Sequence, residues 1–303
     1  MRKTIKVIFL FCVLALLSYG CPEAAIPEKQ GKGEGLNPAH PSTFVTKQEL
    51  HAILALAQQC DKVKVPDGRV VSGVVPHHLA AGHLIVGFME ALAGQEPELV
   101  ILVGPNHHNK GGRVITGLND WQTPEGLVKT DAAVARNLLG RGLAVRDEEV
   151  LAREHSVGGL VPFIKHYLPG TRVVTLILHH DVSLQEIDGL LAALEPHLER
   201  KAVLVASVDF SHYLTRREAQ AKDRYTLKVM KNFDYATLFR LGNDHLDSPA
   251  SLAMAFRLAE GKGLKQFNVL ENTNSGILLN NDFMDTTSYF TLVFSEETTN
   301  HEP

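Results

Sequence analysis

Short apolar runs alternate with amphipathic stretches through most of this chain. Leu99–Val103 (LVILV), Val173–Leu178 (VVTLIL) and Ala202–Ala206 (AVLVA) are continuous and rich in β-branched residues, the pattern of strands covered on both faces. Val70–Val75 is a fourth candidate; it follows the turn signal Asp67-Gly68-Arg69 and leads into Pro76. Between these runs, Ala80–Leu92, Ala132–Leu139, Leu184–Leu198 and Arg217–Lys231 carry helical periodicity. The alternation predicts an α/β fold with a mostly parallel central sheet and helices on both faces. Ser251–Leu258 reads as a further helix, and Ser288–Phe294 (SYFTLVF) as a late strand, antiparallel at an edge.

The first residues follow a different pattern. Met1–Lys6 carries three basic side chains, and Val7–Leu17 is an unbroken apolar run of 11 residues. That is about half of a membrane-spanning helix but the length of a signal-peptide core. The run ends in Leu-Ser-Tyr-Gly-Cys21, which resembles a bacterial lipoprotein processing site, except that Ser18 stands where such sites usually have Leu. The expectation is export, with residues 1–20 removed and a lipid on Cys21 anchoring the protein to a membrane on the periplasmic or extracellular side. Simple cleavage and an uncleaved anchor are the alternatives. Residues 21–43, rich in Pro, Gly and charge, read as a flexible tether. A single domain is expected over 44–297, with a tail at 298–303.

Composition narrows the chemistry. With 30 Lys+Arg against 34 Asp+Glu the net charge is −4, so there is no basic footprint for nucleic acid. Three cysteines are too few for a disulfide scaffold or a Cys-rich zinc module. Cys60 lies in a helical run (LHAILALAQQC) and reads as a packed or surface residue rather than a nucleophile. There is no phosphate-binding Gly-Lys-Ser/Thr loop, no strand-linked GxGxxG and no GxSxG elbow. Histidine stands out, at 15 of 303 residues.

The histidines fall at strand ends. Val70–Val75 runs into Pro76-His77-His78, Leu99–Val103 into Gly104-Pro105-Asn106-His107-His108, and Val173–Leu178 into His179-His180-Asp181. Ala202–Ala206 runs into Ser207-Val208-Asp209-Phe210-Ser211-His212. Ligands of open α/β sheets bind beyond the carboxyl ends of the strands, where the loops converge. Four strands delivering His or Asp to that edge point to a shared metal or acid–base site. Imidazole suits Fe, Cu, Zn and Ni. Asp209 and His212, three apart, are placed to orient a ligand and to move a proton. Glu154-His155-Ser156 belongs either to the rim of that site or to a helix start, with Glu near the N-terminus and Ser as a cap.

Val-Pro-His77, Gly104-Pro-Asn-His107-His108, Thr123-Pro124, Glu154-His155-Ser156 and Ser207-Val-Asp209-Phe210-Ser-His212 together resemble the Memo family, in that order. Its bacterial members are often called AmmeMemoRadiSam system protein B. The resemblance spans about Pro66 to Ser295. It implies a fold related to the class III extradiol ring-cleaving dioxygenases, and a redox metal, iron or copper rather than zinc. Carried over by residue, the family's metal ligands fall on His77 and His107. The third is commonly a cysteine in a Cys-Gly-x-x-Pro context, and the matching string here is His245-Leu-Asp-Ser-Pro249. The resemblance thus implies His245 as third ligand, with Asp244 or Asp247 as the carboxylate alternative. Asp209, His212 and His155 match the family's residues near the metal and take the catalytic roles. Where the family often has an acid two residues after Ser156, this chain has Gly158.

The function expected is an exported metal-dependent oxidoreductase acting on an unknown small-molecule substrate. A non-catalytic metal-binding or scaffold protein, acting through a protein partner, is the alternative; hydrolysis by zinc-bound water is the third possibility.

Overall fold

The computed structural model describes residues 37–64, 67–198 and 201–296. The expected signal, most of the tether and the tail lie outside these residues. The strands are β1 (Ala39–His40), β2 (Arg69–Val75), β3 (Leu99–Pro105), β4 (Val114–Thr116), β5 (Asp120–Thr123) and β6 (Gly126–Val128). They are followed by β7 (Val145–Arg146), β8 (Arg172–Leu178), β9 (Ala202–Ser207), β10 (Asn268–Asn274) and β11 (Ser288–Glu296). The main sheet has eight strands in the order β10-β11-β2-β9-β3-β8-β4-β7. Its centre, β2-β9-β3-β8, is wholly parallel.

The continuous apolar strands are covered on both faces. Ile101, Val103, Leu204 and Ala206 pack into one core with α3 (Ala132–Gly140), α7 (Leu184–Leu198) and α10 (Pro249–Gly261). Their neighbours Val100, Leu102, Val203 and Val205 pack into the other, with α1 (Lys47–Ala57), α2 (Gly82–Ala93) and α6 (Val161–Tyr167). The strand period of two sends alternate side chains to opposite cores. The remaining helices are α4 (Glu148–Ala152), α5 (His155–Gly158), α8 (Arg216–Lys231), α9 (Tyr235–Leu238) and α11 (Ser275–Leu278).

The late strand β11 is antiparallel as expected, but it is not an edge. It pairs with β2 on one side and β10 on the other. The domain also begins earlier than Phe44. Ala39–His40, assigned to the tether by composition, pairs in parallel with Asp120–Trp121 in a small three-stranded sheet. The buried His40 ring lies 4.4 Å from that of Trp121, and its Nε2 3.1 Å from Glu148 Oε2.

Candidate metal centre

Adjacency in the sheet converts separate sequence motifs into one site. Val75 is in register with Ser207, Val103 with Ala206, and Pro105 with Leu178, so four neighbouring strands stop at the same edge. Gly104 sets how tightly they meet. A Cβ there would lie 2.6 Å from Ser156 Oγ and 3.4 Å from Ser207 Cβ; glycine lets β3 run this close to α5 and β9.

His77 is oriented by a chain of hydroxyls. Ser207 Oγ donates to the Ser156 carbonyl at 2.6 Å, and therefore accepts from His77 Nδ1 at 2.9 Å. In the neutral ring Nδ1 carries the proton and Nε2 is left to face the site. That atom is 3.3 Å from Asp247 Oδ2 and 3.5 Å from Asp209 Oδ2. The backbone N–H of His77 donates to Asp209 Oδ1 at 3.1 Å. Burial pushes the His77 ring toward its neutral form, but the two carboxylates outweigh it and raise its pKa.

His107 is held by Glu154. Oε2 accepts the His107 backbone N–H at 2.9 Å and Oε1 accepts Nδ1–H at 2.8 Å. Oε1 also accepts the Ser156 N–H at 2.9 Å, capping α5. Burial alone would raise the Glu154 carboxyl; the hydrogen bond and charge of His107 bring it down to about 2. His107 Nε2 faces Asp247 Oδ2 at 3.7 Å. Against the effect of its burial, hydrogen bonds that the ring donates to Asp247 and Glu154, with their negative charge, push the His107 ring up to about 10. Asp247, its side chain 7% exposed, is held well below the usual carboxylate range by His107 and His77.

His155 completes the group. Its ring stacks on His107 with centroids 4.2 Å apart and meets His77 edge-on at 5.2 Å. Burial, then the charges of His77 and His107, lower its value to about 4, so it is neutral. One ligand atom each from His77, His107 and His155 lie within 4.8 Å of one another, as do those of His77, Asp209 and Asp247.

The donor set fits a cation. Asp247 Oδ1 is buried without a hydrogen-bond partner among the described residues, a costly arrangement for a carboxylate unless something positive sits there. Two imidazole nitrogens beside one carboxylate is a donor set that non-haem iron takes. His77, His107 and Asp247 are the residues that would hold the ion.

His77, His107, Asp209 and His155 are thus brought together, whereas His245, Asp244 and His212 are not. His245 turns away: its Nδ1 lies 2.8 Å from Thr226 Oγ1 and its Nε2 3.3 Å from Lys222 Nζ. Asp247, two residues later, is the residue that faces His77 and His107. The reason is a long-range pairing. Leu246 bridges Phe210, and the Asp247 N–H donates to the Asp209 carbonyl at 3.1 Å; this fixes the Asp247 side chain among the histidines. Asp244, the other carboxylate alternative, pairs with Lys222. His212 also stays out of the cluster; its backbone N–H donates to the Asn243 carbonyl at 2.9 Å. Glu154 is the residue whose importance the sequence understated, since a helix-start carboxylate and a histidine-orienting one look the same in a string.

Gly158 marks the departure from the family pattern. A Cβ there would lie 2.4 Å from Phe44 Cε2 and 3.2 Å from Trp121 Cζ3. The N-terminal segment fills the space an acidic side chain would need. Cys60 is exposed, as a surface residue.

The family model described as Memo-like protein matches residues 43–293. A MEMO1 family protein of Pyrobaculum aerophilum is 29% identical over 219 residues, covering 69% of this chain and 78% of its own. One of Aeropyrum pernix is 29% identical over 266 residues, covering 79% and 92%. Among solved structures, an uncharacterized protein of Escherichia coli K12 superposes with a TM-score of 0.51 at 14% identity, covering 75% of this chain and all of that one. That likeness concerns the fold alone, a mixed α/β architecture with a mostly parallel sheet. With the Memo-like family model matched over residues 43–293, the chain is a member of the Memo family.

Proposed function

We propose that this Memo-family protein is an exported metal-dependent oxidoreductase whose ion is held by His77 Nε2, His107 Nε2 and the Asp247 carboxylate. One observation carries the reading: both imidazoles have Nδ1 committed, to Ser207 and to Glu154, and both present Nε2 to the same buried carboxylate. The set favours iron over copper, because a carboxylate replaces the softer thiolate of the family pattern. When bound, the ion would supply redox and Lewis-acid chemistry.

The protein's own groups have separate tasks in this reading. Glu154 and Ser207 hold the two rings and fix their proton-bearing nitrogens. Asp209 secures the end of β2 by accepting the His77 N–H. The neutral His155 ring, 47% exposed, stands at the rim where it can accept a proton from a ligand.

The test is elemental analysis of protein purified from its own compartment, followed by anaerobic loading with Fe(II) and an oxygen-uptake measurement. One iron per chain is expected, lost in His77→Ala and in His107→Ala. Zinc alone, with no oxygen uptake after iron loading, would move the reading to hydrolysis. Export rests on the sequence of residues 1–21: labelled palmitate should enter the wild type and not Cys21→Ser, and equal labelling of both would sink the lipid anchor.

A further inference from the structure

We propose that His179 and His180 form a second site for a divalent transition-metal ion, where an incoming cation is captured on its way to the centre of His77, His107 and Asp247. The capture role rests on the metal-centre reading; the binding of an ion by the two histidines does not.

The two rings stand side by side, although neighbours in a strand point to opposite faces. The reason is a turn. β8 ends at Leu178, and the Val182 N–H donates to the His179 carbonyl at 3.1 Å. The turn leaves the ring centroids 4.4 Å apart, with the planes at 39°. One ligand atom each of His179, His180 and Asp181 lie within 4.8 Å of one another, and His180 and Asp181 are exposed. The backbone beneath them is pinned. The His179 N–H donates to the Arg113 carbonyl at 2.8 Å, and the His180 N–H to Asn109 Oδ1 at 2.9 Å.

Asp181 orients the pair and is not itself a ligand. Its Oδ1 accepts the Nδ1–H of His179, and its Oδ2 meets the Arg113 guanidinium at 2.6 Å. With the proton on Nδ1, His179 Nε2 keeps its lone pair and is the atom that binds a metal. A carboxylate behind an imidazole is the arrangement that metal-ligating histidines use, and Glu154 serves His107 in the same way. Arg113 does not oppose a cation here. It pairs with Asp181 and also with Glu186, the latter at 2.7 Å, which leaves one negative charge in excess.

The donors select the ion. Two imidazoles suit Fe, Cu, Zn and Ni, whereas Mg and Ca take oxygen ligands. Two nitrogens hold a cation less tightly than two nitrogens with a buried carboxylate, so the purified chain keeps one ion, in the centre. His179 and His180 line a cavity of about 100 Å³ whose wall also includes His107, Asp247, Asn109 and Asn243. That is room for several waters, each of which needs about 10–15 Å³. An ion captured by the pair therefore shares one polar space with two of the three residues of the centre.

The probe is Zn(II), titrated by calorimetry into the full-length metal-free chain, with Mg(II) as comparator. The wild type should take two zinc ions, one tightly and one at least tenfold more weakly, and Mg(II) should not replace the weaker one. His179→Ala and His180→Ala should each lose the weaker event and keep the tight one. Two unchanged events in both variants overturn the site. If His179→Ala does not fold, His180→Ala decides, since that side chain is exposed. Capture is read from the rate of anaerobic Fe(II) loading at limiting iron. His180→Ala should reach the wild-type iron content at least fivefold more slowly, and equal rates overturn the capture role. The two readings fail separately. A single zinc lost in His180→Ala and kept in His77→Ala retains the exposed site and removes the metal centre. A single zinc lost in His77→Ala and kept in His180→Ala does the reverse.

Discussion

Glu154 Oε1 and His107 Nδ1 lie 2.8 Å apart, and the carboxylate is 2% exposed. A buried carboxylate in that position fixes which nitrogen of the ring is free and raises its basicity as a ligand. Glu154→Gln keeps the size of the side chain but removes the charge. It should lower metal affinity by about 10–100-fold, read by competition with a chelator of known affinity. Unchanged affinity would mean that Glu154 serves only as the cap of α5.

The same pair sets a pH dependence for the metal-free protein. The folded His107 value of about 10 lies above its ordinary 6.5. Its contribution to stability is therefore complete below pH 6.5 and lost as pH rises toward 10. Glu154, at about 2 against an ordinary 4.5, contributes fully above pH 4.5 and loses that contribution as pH falls toward 2. Thermal midpoints of the metal-free chain should therefore fall on both sides of the interval from pH 4.5 to 6.5 as far as this pair is concerned. Both limbs should be shallower in Glu154→Gln, and parallel curves for the two proteins would refute the assignment.

Phe44 and Gly158 are a coupled pair. Because a Cβ at 158 would fall 2.4 Å from the Phe44 ring, Gly158→Glu should destabilise the protein by about 1–3 kcal/mol, the usual cost of overpacking. Phe44→Ala opens the space, so the double variant should be more stable than the sum of the single effects requires. Denaturant unfolding of the four proteins in the cycle measures this. Strict additivity would show that the side chain at 158 escapes in another direction.

The parts of this molecule that were legible in its sequence are those governed by local pattern. Buried strands announce themselves as apolar runs, and once four of them are placed in one parallel sheet their ends must meet, which is why His77, His107 and Asp209 could be grouped beforehand. β10 was not legible because its residues, Asn-Val-Leu-Glu-Asn-Thr-Asn, are mostly solvent-facing at a sheet edge. β1 was hidden because a two-residue pairing leaves no period in a Pro- and Gly-rich segment. The third donor was hidden for a different reason. Between Asp244 and Asp247 the sequence offers three residues able to bind a metal, and the bridge from Leu246 to Phe210, a contact across the fold, decides which one faces inward.

That bridge makes the final expectation sharp. Asp247 Oδ2 is within 3.3 Å of His77 Nε2 and 3.7 Å of His107 Nε2, while both nitrogens of His245 are occupied by Thr226 and Lys222. Asp247→Asn keeps the shape of the side chain and removes the charge a cation needs. It should lose most of its bound metal while the fold persists. Without a cation, the neutral amide also relieves the buried, unpaired Oδ1, so the metal-free variant should be no less stable than metal-free wild type once the lost pairing with His77 and His107 is compared at alkaline pH. His245→Ala should keep its metal, since it breaks contacts only toward α8. His245→Cys should behave like His245→Ala in air and under reducing conditions alike, because a thiol facing Lys222 is not near the ion. Metal content by elemental analysis, with circular dichroism to confirm folding, separates the outcomes. Full metal in Asp247→Asn together with loss in His245→Ala would return the third position to His245 and require the loop before α10 to rearrange when the ion binds.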